Sequence, residues 1–465
     1  MNKGKFHLRK VGMLVFWLLV WQILALGIRQ PILFASPLQV GKTLAGLVVT
    51  ADFWQVLAYS TGRILTGILL AFALGTGLGI LAAFYPWLEE FLQFPVAVLQ
   101  AIPVACYAVL LLIWYGSNSL TVIITFVIVF PNLYFQTMAG IRDVDGKLLE
   151  MAQVYHFCRR DKAMYLYRPA MHSHIRGAAR ASVGNAWKAG VAAEVIGLPA
   201  YSIGEQIYLA KVYLNTAELF AWTVGLVCMS WFTGRVLLSL LDWMFTAAVP
   251  IKGSTGKGQN APEKNGTLQI TGLRKSYEEK ALWGKQALHM TFPAGGTYAL
   301  MEPSGAGKTT LFRILAGLEK ADAGSVCWSN GQGEEEIPDT ALAFEEERFV
   351  ETLTLEENLK LAGIAGTEAE NACRELLSEA ELQKPLGQYS LGMGRRAEVL
   401  RCMLSSASVL LLDEPFNGMD ENTRKKAADF IKKHQKGRLL LCITHKREET
   451  ALLQAEILKK NWNFS

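Results

Sequence analysis

The residues with the clearest chemical potential form a glycine-rich segment, 302–310, that joins a strand pattern to a helix pattern. The strand pattern covers 297–301, and the apolar spacing of 311–317 is typical of a helix. Backbone N–H groups of such a turn, together with the positive end of the helix dipole, attract phosphate oxygens. We expect Lys308 to reach the β- and γ-phosphates and Thr309 to ligate Mg²⁺. The predicted nucleoside triphosphate site comprises Ser304, Gly305, Ala306, Gly307, Lys308, Thr309 and Thr310.

Two carboxylates follow a second apolar run and have the chemistry to act on such a ligand. The run 408–412 predicts a buried strand, and Asp413 and Glu414 come directly after it. We expect Asp413 to hold Mg²⁺ and Glu414 to polarise the attacking water. A third strand pattern, 439–443, is followed closely by His445, which we expect to contact the γ-phosphate. Together with Lys308, these residues predict hydrolysis of ATP.

The composition of the chain indicates that part of it lies in a membrane. Hydrophobic residues make up 51% of its 465 residues and charged residues 19%, against about a quarter charged in ordinary soluble domains. The mean hydropathy is +0.22. The net charge of +5 is small and fits the cytoplasmic Lys/Arg excess of a membrane protein, so it does not predict nucleic-acid binding. None of the seven cysteines belongs to a CxxC pair, and we expect them to be reduced.

Composition changes abruptly near Pro250 and divides the chain into two parts. Long apolar runs precede this point, and a charged sequence with alternating strand and helix patterns follows it. Between them, 252–266 consists largely of Gly, Lys, Asn, Ser and Pro, which is typical of a flexible linker. We therefore predict a polytopic α-helical membrane domain over residues 1–250, a linker over 251–266 and an α/β P-loop NTPase domain over 267–465.

Six apolar segments are long enough to cross a bilayer, which needs ~20 mostly apolar residues per helix. They are 11–28, 61–84, 91–114, 120–138, 182–200 and 219–245. Lys3, Lys5, Arg9 and Lys10 precede the first segment, and a basic loop, 141–180, follows the fourth. The positive-inside rule then predicts a multi-pass protein of the cytoplasmic membrane whose N-terminus, basic loop and NTPase domain lie in the cytoplasm. The alternative for the first segment is a cleaved signal peptide, although its apolar stretch is longer than the about 7–15 residues usual there.

The basic loop has an internal pattern of its own. Its Glu-Met-Ala sequence, from Glu150 to Ala152, is followed more than a dozen residues later by an Arg-Pro-Ala sequence that begins at Arg168. Apolar residues between positions 148 and 158 have near-helical spacing. This spacing predicts a short helix that presents an apolar face to a partner surface just below the membrane. An amphipathic connector that lies on the membrane surface is the alternative.

This loop resembles the EAA-type loop in the permeases of binding-protein-dependent ABC importers. The next span contains an Ala-Trp pair ending at Trp187 and an Ala-Glu pair ending at Glu194, which resemble a stretch found in the nitrate, sulfonate and taurine branch. The resemblance covers about 52–243. It implies a type I importer-like membrane domain in which Glu150 and Ala152 take part in coupling to an ATPase.

The motifs of the C-terminal part resemble, in this order, those of an ABC-transporter nucleotide-binding domain over 268–465. The resemblance implies that Tyr277 stacks on adenine and that the loop of Phe344 meets the permease. It also implies that Ser390 and Gly392 belong to the signature loop, which closes over ATP bound to the opposite protomer.

Five positions depart from the patterns of these families. Glu302 stands where the first P-loop Gly is usual, Glu345 where a Gln is usual, and Leu391 where the first signature Gly is usual. In the basic loop, His156 replaces a Gly and Arg168 replaces a Leu. Glu345 can still ligate Mg²⁺, but it adds negative charge near a polyanion, and Leu391 adds bulk where the backbone must approach the γ-phosphate. We expect an ATPase that works but is slowed by these substitutions.

The resemblance also implies cofactors and partners. These are ATP and Mg²⁺, an extracytoplasmic solute-binding protein and a small-molecule solute such as nitrate, an aliphatic sulfonate, taurine, a bicarbonate-like anion or a pyrimidine-type vitamin precursor. Each ATP needs a P-loop from one protomer and a signature loop from another, so a homodimer is the simplest assembly and a heteromer is the alternative. Two other functions stay open: a half-size exporter, and a nucleotide sensor that does not hydrolyse ATP.

Overall fold

The computed structural model of the protein describes residues 3–28, 30, 32–253, 266–278, 280–283, 287–303, 305–330 and 335–458. The chain divides into two compact units. The first comprises Met1–Asp143 and Pro169–Ala247, and the second comprises Val144–Arg168 and Ala248–Ser465. The middle of the predicted cytoplasmic loop therefore belongs to the second unit. Most of the predicted linker, 254–265, lies outside the described residues.

The described part of the first 250 residues is helical. In chain order its helices are α1 (Lys3–Ile28), α2 (Pro37–Val48), α3 (Ala51–Phe84), α4 (Pro86–Ala101), α5 (Val104–Arg142), α6 (Gly146–Val154), α7 (Arg159–Asp161), α8 (Arg168–Gly197), α9 (Ile203–Val212) and α10 (Thr216–Thr246). A π-helical segment, Lys162–Tyr167, separates α7 from α8.

Within the described residues, four helices are long and apolar enough to cross a membrane: α1 over Val11–Ile28, α3, α5 and α10. The prediction of six spans is therefore not confirmed by length and composition. The predicted span 91–114 is divided at Ile102 and Pro103 between α4 and α5. The predicted fourth span lies in the same helix α5, beyond a kink at Gly116, where φ is +73°. The predicted fifth span lies largely in α8, whose polar residues lower its average apolarity.

Small residues let α3 and the second half of α5 approach closely. A Cβ atom added at Gly67 would lie 2.8 Å from the Cβ of Thr125, and one added at Gly79 would lie 2.9 Å from the Cβ of Thr137. Contacts of this kind are the usual way in which membrane helices gain packing energy, since lipid is as apolar as the side chains. The paired positions advance together along both helices, so α3 and this part of α5 run in the same direction.

Helix α8 is joined to its neighbours by the two motif residues of the sequence. The indole Nε1 of Trp187 donates to the hydroxyl of Thr233 on α10 over 2.9 Å. Glu194 is fully buried, and its Oε2 accepts hydrogen bonds from the hydroxyl of Ser60 on α3, at 2.9 Å, and from the backbone N–H of Gly204, at 3.2 Å. The Trp and Glu of this stretch therefore hold α3, α8, α10 and the start of α9 together.

The second unit contains strands and shorter helices. Its strands are β1 (Gly266–Arg274), β2 (Ser276–Tyr277), β3 (Lys280–Ala281), β4 (Leu288–Pro293), β5 (Thr297–Leu300), β6 (Ala323–Asn330), β7 (Glu335–Glu336), β8 (Thr340–Ala343), β9 (Val409–Asp413), β10 (Leu439–Ile443) and β11 (Glu456–Leu458). The helices that follow the P-loop are α11 (Lys308–Leu315), α12 (Leu355–Leu361), α13 (Thr367–Leu376), α14 (Glu379–Leu382), α15 (Leu391–Leu404), α16 (Glu421–Gln435) and α17 (Arg447–Leu453).

A five-stranded parallel sheet with the order β11-β5-β10-β9-β8 forms the centre of the second unit, beside an antiparallel sheet with the order β4-β1-β6-β7. Strands β8, β9 and β10 are buried along their whole length, as expected for a parallel sheet covered on both faces. The carboxyl ends of parallel strands meet at one edge of a sheet, which is where ligands bind in open α/β folds. The residues that follow β5, β8, β9 and β10 are therefore brought together at this edge.

Candidate functional site

The phosphate-binding turn lies between β5 and α11. Gly305 and Gly307 have φ angles of +83° and +86°, a left-handed conformation that glycine adopts without steric cost. Helix α11 begins at Lys308, so Thr309 and Thr310 occupy its first turn. Ala306 lies between the two glycines in this turn, whereas Ser304 lies outside the described residues. The described part of the turn thus has the strand, glycine-rich turn and helix order that favours phosphate binding.

Lys308 is 6% exposed, and its ammonium group donates to the carbonyl oxygen of Glu302 and, at 3.1 Å, to that of Pro303. Burial lowers the pKa of Lys308, while the negative charges of Asp413 and Glu414 act in the opposite direction. The main-chain carbonyls thus satisfy a buried cation that a triphosphate would neutralise more fully.

Asp413 ends strand β9 and is 4% exposed. Burial raises the pKa of Asp413 to about 6, and the charges of Glu345 and Glu414 add to this rise, whereas Arg395 and a hydrogen bond from Thr309 oppose it. Thr309, Glu345 and Asp413, the predicted metal ligands, therefore influence one another in the folded protein. Their hydroxyl and carboxylate oxygens are the donors that Mg²⁺ prefers, and a divalent cation would offset the crowding of negative charge. The residues at this place fit a magnesium ion.

Glu414 has a backbone conformation that is unusual for a residue with a side chain. Its φ is +47°, and its N–H donates to the carbonyl oxygen of Ile443 at the end of β10 over 3.0 Å. The carboxylate Oε1 lies 3.2 Å from Nε2 of His445. Strained positions of this kind often occur at functional sites. The structure thus brings the predicted general base and the predicted γ-phosphate contact side by side.

The side chains on the adenine side of the site form a polar cluster. The ring of Tyr277 is 46% exposed, its hydroxyl donates to Glu319, and the ammonium group of Lys275 lies 5.2 Å from the ring centroid. Trp283, which the sequence did not single out, lies next to the P-loop. A Cβ atom added at Gly307 would lie 2.6 Å from its indole Nε1, and this N–H is buried without a hydrogen-bond partner among the described residues.

The predicted signature residues lie at the start of α15. Ser390 is the N-cap of this helix, and its hydroxyl accepts from the N–H of Met393 at 3.4 Å. A Cβ atom added at Gly392 would lie 2.9 Å from the carbonyl oxygen of Gly418. Leu391 is 67% exposed and packs beside Gly418. The signature residues and the loop after β9 therefore contact each other within one protomer.

Glu150 on α6 joins the loop helix to the ATPase fold. Its Oε2 and Oε1 accept hydrogen bonds from the two terminal nitrogens of Arg313, at 2.9 and 2.7 Å, and Oε2 also accepts from Arg348. The hydrogen bonds from Arg313 hold the pKa of Glu150 below its usual range. Arg313 lies on α11, the helix that follows the P-loop, and Arg348 lies in the loop that follows β8. Sequence reasoning missed both arginines because no local pattern connects positions so far apart in the chain.

The other predicted coupling residues are buried beside this ion pair. Ala152 is fully buried, and Phe344 is 4% exposed with the guanidinium carbon of Arg348 only 3.9 Å from its ring centroid. The hydroxyl of Tyr155 donates to the carbonyl oxygen of Leu342 on β8 at 2.9 Å. The structure thus brings Glu150, Ala152 and Phe344 together.

His156 explains one of the departures from the family pattern. Its φ is +50°, the left-handed conformation that a glycine adopts most easily, and its Nε2 lies 3.8 Å from a carboxylate oxygen of Asp339. A residue with a side chain in this conformation costs on the order of 1 kcal/mol. The backbone has therefore kept the turn that a glycine would favour.

Comparisons with known proteins match both parts of the chain. Residues 286–417 match the ABC transporter family, and residues 75–248 match the family of binding-protein-dependent transport system inner membrane components. The chain is 34% identical over 199 residues to the aliphatic sulfonates import ATP-binding protein SsuB of Corynebacterium glutamicum. The alignment covers 41% of this chain and 78% of that protein.

The N-terminal part has relatives of its own. It is 29% identical over 204 residues to the putative aliphatic sulfonates transport permease protein SsuC of Bacillus subtilis, covering 43% of this chain and 74% of that protein. Among solved structures, an ATP-binding subunit of an ABC transporter aligns with this chain at 24% identity with a TM-score of 0.35. The alignment covers 39% of this chain and 81% of that chain. The chain belongs to the ABC transporter family and fuses a binding-protein-dependent permease to an ATP-hydrolysing cassette.

Proposed function

We propose that this importer carries a small anion of the nitrate, sulfonate or taurine type across the cytoplasmic membrane. The observation that carries the proposal is that the two parts of the chain are similar to two proteins named for aliphatic sulfonate transport, an ATP-binding protein and a putative permease. A solute-binding protein outside the membrane delivers the anion, and hydrolysis of ATP drives its passage.

In this proposal each predicted residue of the cassette has a defined task. The N–H groups of the turn 304–310 and the ammonium group of Lys308 hold the phosphates, and Tyr277 stacks on adenine. Thr309, Asp413 and Glu345 supply oxygen ligands to Mg²⁺, which neutralises charge that develops on the phosphates. Glu414 orients and polarises the attacking water, and His445, 3.2 Å from Glu414, contacts the γ-phosphate.

We propose six crossings for the membrane domain. Because α3 and the second half of α5 run in the same direction, the chain between them must cross back, and α4 with the first part of α5 is the segment available. Helix α8 is antiparallel to α5. Asn132 donates to Ser182 over 2.8 Å, and a Cβ atom added at Gly197 would lie 3.0 Å from a side-chain carbon of Leu120. Helix α8 thus extends along most of the α5 segment, which supports a crossing by α8 despite its polar residues.

The proposed orientation follows from the position of α6. Glu150 and Tyr155 bind the cassette, and ATP is in the cytoplasm, so α6 faces the cytoplasm. In this proposal the chain crosses the membrane four times before α6. An even number of crossings places the N-terminus on the same side as α6, which is the cytoplasm. This agrees with the basic residues that precede the apolar segment Val11–Ile28 of α1.

The proposed assembly is a homodimer. Ser390 and Gly392 would close over ATP bound to the P-loop of the partner, so each protomer supplies half of two sites. The exposed side chain of Leu391 would lie at this seam.

The proposed coupling runs through α6. Glu150 binds Arg313 on the P-loop helix and Arg348 after β8 at the same time. A change of the nucleotide site that moves either element therefore acts on the same carboxylate.

Transport into proteoliposomes tests the proposed function. The purified chain, with candidate solute-binding proteins for these anions, is supplied with ATP on the cassette side and with radiolabelled taurine, an alkanesulfonate or nitrate on the other. We expect ATP-dependent uptake of one of these anions and none with the Lys308→Ala variant. ATP-dependent transport away from the cassette side would support an exporter, and ATP binding without hydrolysis would support a sensor. Either result would contradict the proposal.

A further inference from the structure

Arg395 on α15 is a buried arginine whose hydrogen bonds converge on the catalytic edge of the sheet. Its side chain is 2% exposed. Its Nε donates to the carbonyl oxygen of Glu414 over 2.8 Å, and its two terminal nitrogens donate to the carbonyl oxygens of Asp413 and Phe344. One guanidinium group thus bridges the end of β9 and the loop after β8.

These three carbonyls belong to residues whose positions decide the geometry of the site. Asp413 and Glu414 are the proposed metal ligand and general base, and Phe344 directly precedes Glu345. The guanidinium is planar, and its N–H donors have a fixed geometry. The hydrogen bonds that it donates to these main-chain carbonyls therefore restrict where the carboxylates can point. A lysine ammonium also has three donors, but they radiate from one nitrogen and do not form the planar fork of a guanidinium.

The charge of Arg395 acts on five carboxylates, which are those of Glu345, Glu347, Glu398, Asp413 and Glu414. Burial lowers the pKa of Arg395, whereas the charges of Glu398, Asp413, Glu414 and Glu345 act to raise it. Arg395 in turn opposes the rise in the pKa of Asp413. Glu398 is also paired with Arg401, at 2.7 Å, so its charge does not depend on Arg395 alone.

Glu345 adds to the negative charge on which Arg395 acts. A glutamine at that position would be neutral, whereas Glu345 adds a third carboxylate to Asp413 and Glu414 beside the place of the triphosphate. Like charges at close range in a partly buried site repel strongly unless a cation lies near them.

We propose that Arg395 is a positioning residue for ATP hydrolysis, which orients Asp413 and Glu414 through their main chain and offsets the negative charge of Glu345. It acts through these residues and not by contact with the nucleotide. The inference rests on the proposed roles of Asp413 and Glu414. It also means that Glu345 and Arg395 form a matched pair, so the departure at Glu345 is accommodated within the site.

A double-mutant cycle on the full-length protein in lipid nanodiscs tests this inference. We compare kcat and KM for ATP in the original chain, in Arg395→Gln, in Glu345→Gln and in the double variant. We expect Arg395→Gln to lower kcat about tenfold, equivalent to about 1.4 kcal/mol, with KM changed less than about twofold. The double variant should recover at least about threefold over Arg395→Gln, because the unbalanced charge is removed.

Arg438 provides a matched control in the same cassette. It is also 2% exposed and donates to main-chain carbonyls, including those of Met403 and Ser405 at 2.7 and 2.6 Å. It precedes β10 and therefore lies at the opposite edge of the parallel sheet. Arg438→Gln should lower the melting temperature without lowering kcat of the folded protein. Should Arg395→Gln fail to fold, Arg395→Met in both backgrounds at position 345 completes the same cycle, because it also removes the positive charge.

Two results would overturn the inference. One is a kcat for Arg395→Gln equal to that of Arg438→Gln, and the other is a double variant no more active than Arg395→Gln. The Glu414→Gln variant distinguishes a failure of the inference about Arg395 from a failure of the proposed function. If Glu414→Gln hydrolyses ATP normally, the proposed role of Glu414 is wrong; if it is inactive while Arg395→Gln is normal, only the role of Arg395 is wrong.

Discussion

Glu414 and His445 show how much of the site local sequence can define. The apolar run before Asp413 predicts a strand at 408–412, and β9 covers Val409–Asp413. The carboxylates are predicted as site residues because they come directly after this apolar run. The left-handed φ of Glu414, in contrast, follows from the turn that its N–H makes to Ile443 on another strand. No pattern near Glu414 reveals that contact.

Glu414→Gln should retain ATP binding and lose hydrolysis. The amide keeps the shape of the side chain but is not a base, and loss of general-base catalysis typically costs about 10²–10⁴ in rate. Filter binding of labelled ATP, followed over many minutes, should show nucleotide that stays bound. Turnover at the original rate would mean that another group activates the water.

Glu347 allows a prediction about pH. Burial raises the pKa of Glu347 to about 7 from an ordinary value of 4.5, with the charge of Glu398 adding and Arg395 opposing. The ionised form is thus disfavoured in the folded state, so the fold loses stability as pH rises from 4.5 through about 7. Glu347→Gln should raise the melting temperature at pH 8 and change it little at pH 5. Glu347 is among the exposed residues, so screening by solvent limits the effect. An equal change at both pH values would contradict this assignment.

Helices α6 and α15 meet the nucleotide site by contacts between distant parts of the chain. A short helix in the basic loop could be predicted from apolar spacing, and α6 covers Gly146–Val154. Its partners Arg313 and Arg348 could not, because 163 and 198 residues separate them from Glu150. The span boundaries show a similar limit: the proline itself accounts for the break at Pro103, whereas hydropathy does not reveal the kink at Gly116.

Glu150→Gln should separate ATP hydrolysis from transport. Hydrogen bonds to charged groups contribute about 1.5–3 kcal/mol, and the amide loses most of this attraction to the two arginines. Basal hydrolysis should persist, while its stimulation by the solute-loaded binding protein falls at least about fivefold. The pKa of Glu150 is lowered, so this contact is present above pH 4.5 and is lost only as pH falls through the folded value below it.

Lys147 supplies the control for that prediction. Lys147 lies on the same helix as Glu150 and forms an ion pair with Glu346. Both side chains of this pair are more than half exposed. Exposed pairs contribute about 0–1 kcal/mol, so Lys147→Ala should leave stimulation intact. Equal stimulation in Glu150→Gln and Lys147→Ala would exclude a coupling role for Glu150.

Glu194 belongs to the packing of the membrane domain. Glu194→Ala leaves the hydroxyl of Ser60 and the N–H of Gly204 without their acceptor in a fully buried place, at about 1–3 kcal/mol for each group. Glu194→Gln keeps an acceptor oxygen. The melting temperature in detergent should therefore fall markedly for Glu194→Ala and only slightly for Glu194→Gln. A similar fall for both would show that the negative charge is needed.

At the scale of the whole molecule, one chain supplies one permease and one cassette. Fusion fixes their ratio at one to one, so a dimer of the chain has two of each, as two composite ATP sites require. Composition and the linker pattern predict the two parts of the chain. The inclusion of Val144–Arg168 in the cassette unit depends on side chains such as Tyr155 and could not be read from sequence distance.

The homodimer should be measurable by mass. Light scattering of the detergent-solubilised protein, corrected for detergent, should give twice the 51.4 kDa of one chain when ATP is bound to the Glu414→Gln variant. A monomer that hydrolyses ATP at the full rate would contradict the composite site.

The central claim is that this chain alone contains a working ATP-driven motor. ATP hydrolysis by the purified protein in lipid nanodiscs, beside its Lys308→Ala variant, tests it most directly. We predict hydrolysis that requires Mg²⁺ and disappears in the variant, because Lys308 binds the phosphates. Measurable ATP binding with no hydrolysis above that of Lys308→Ala would contradict the account.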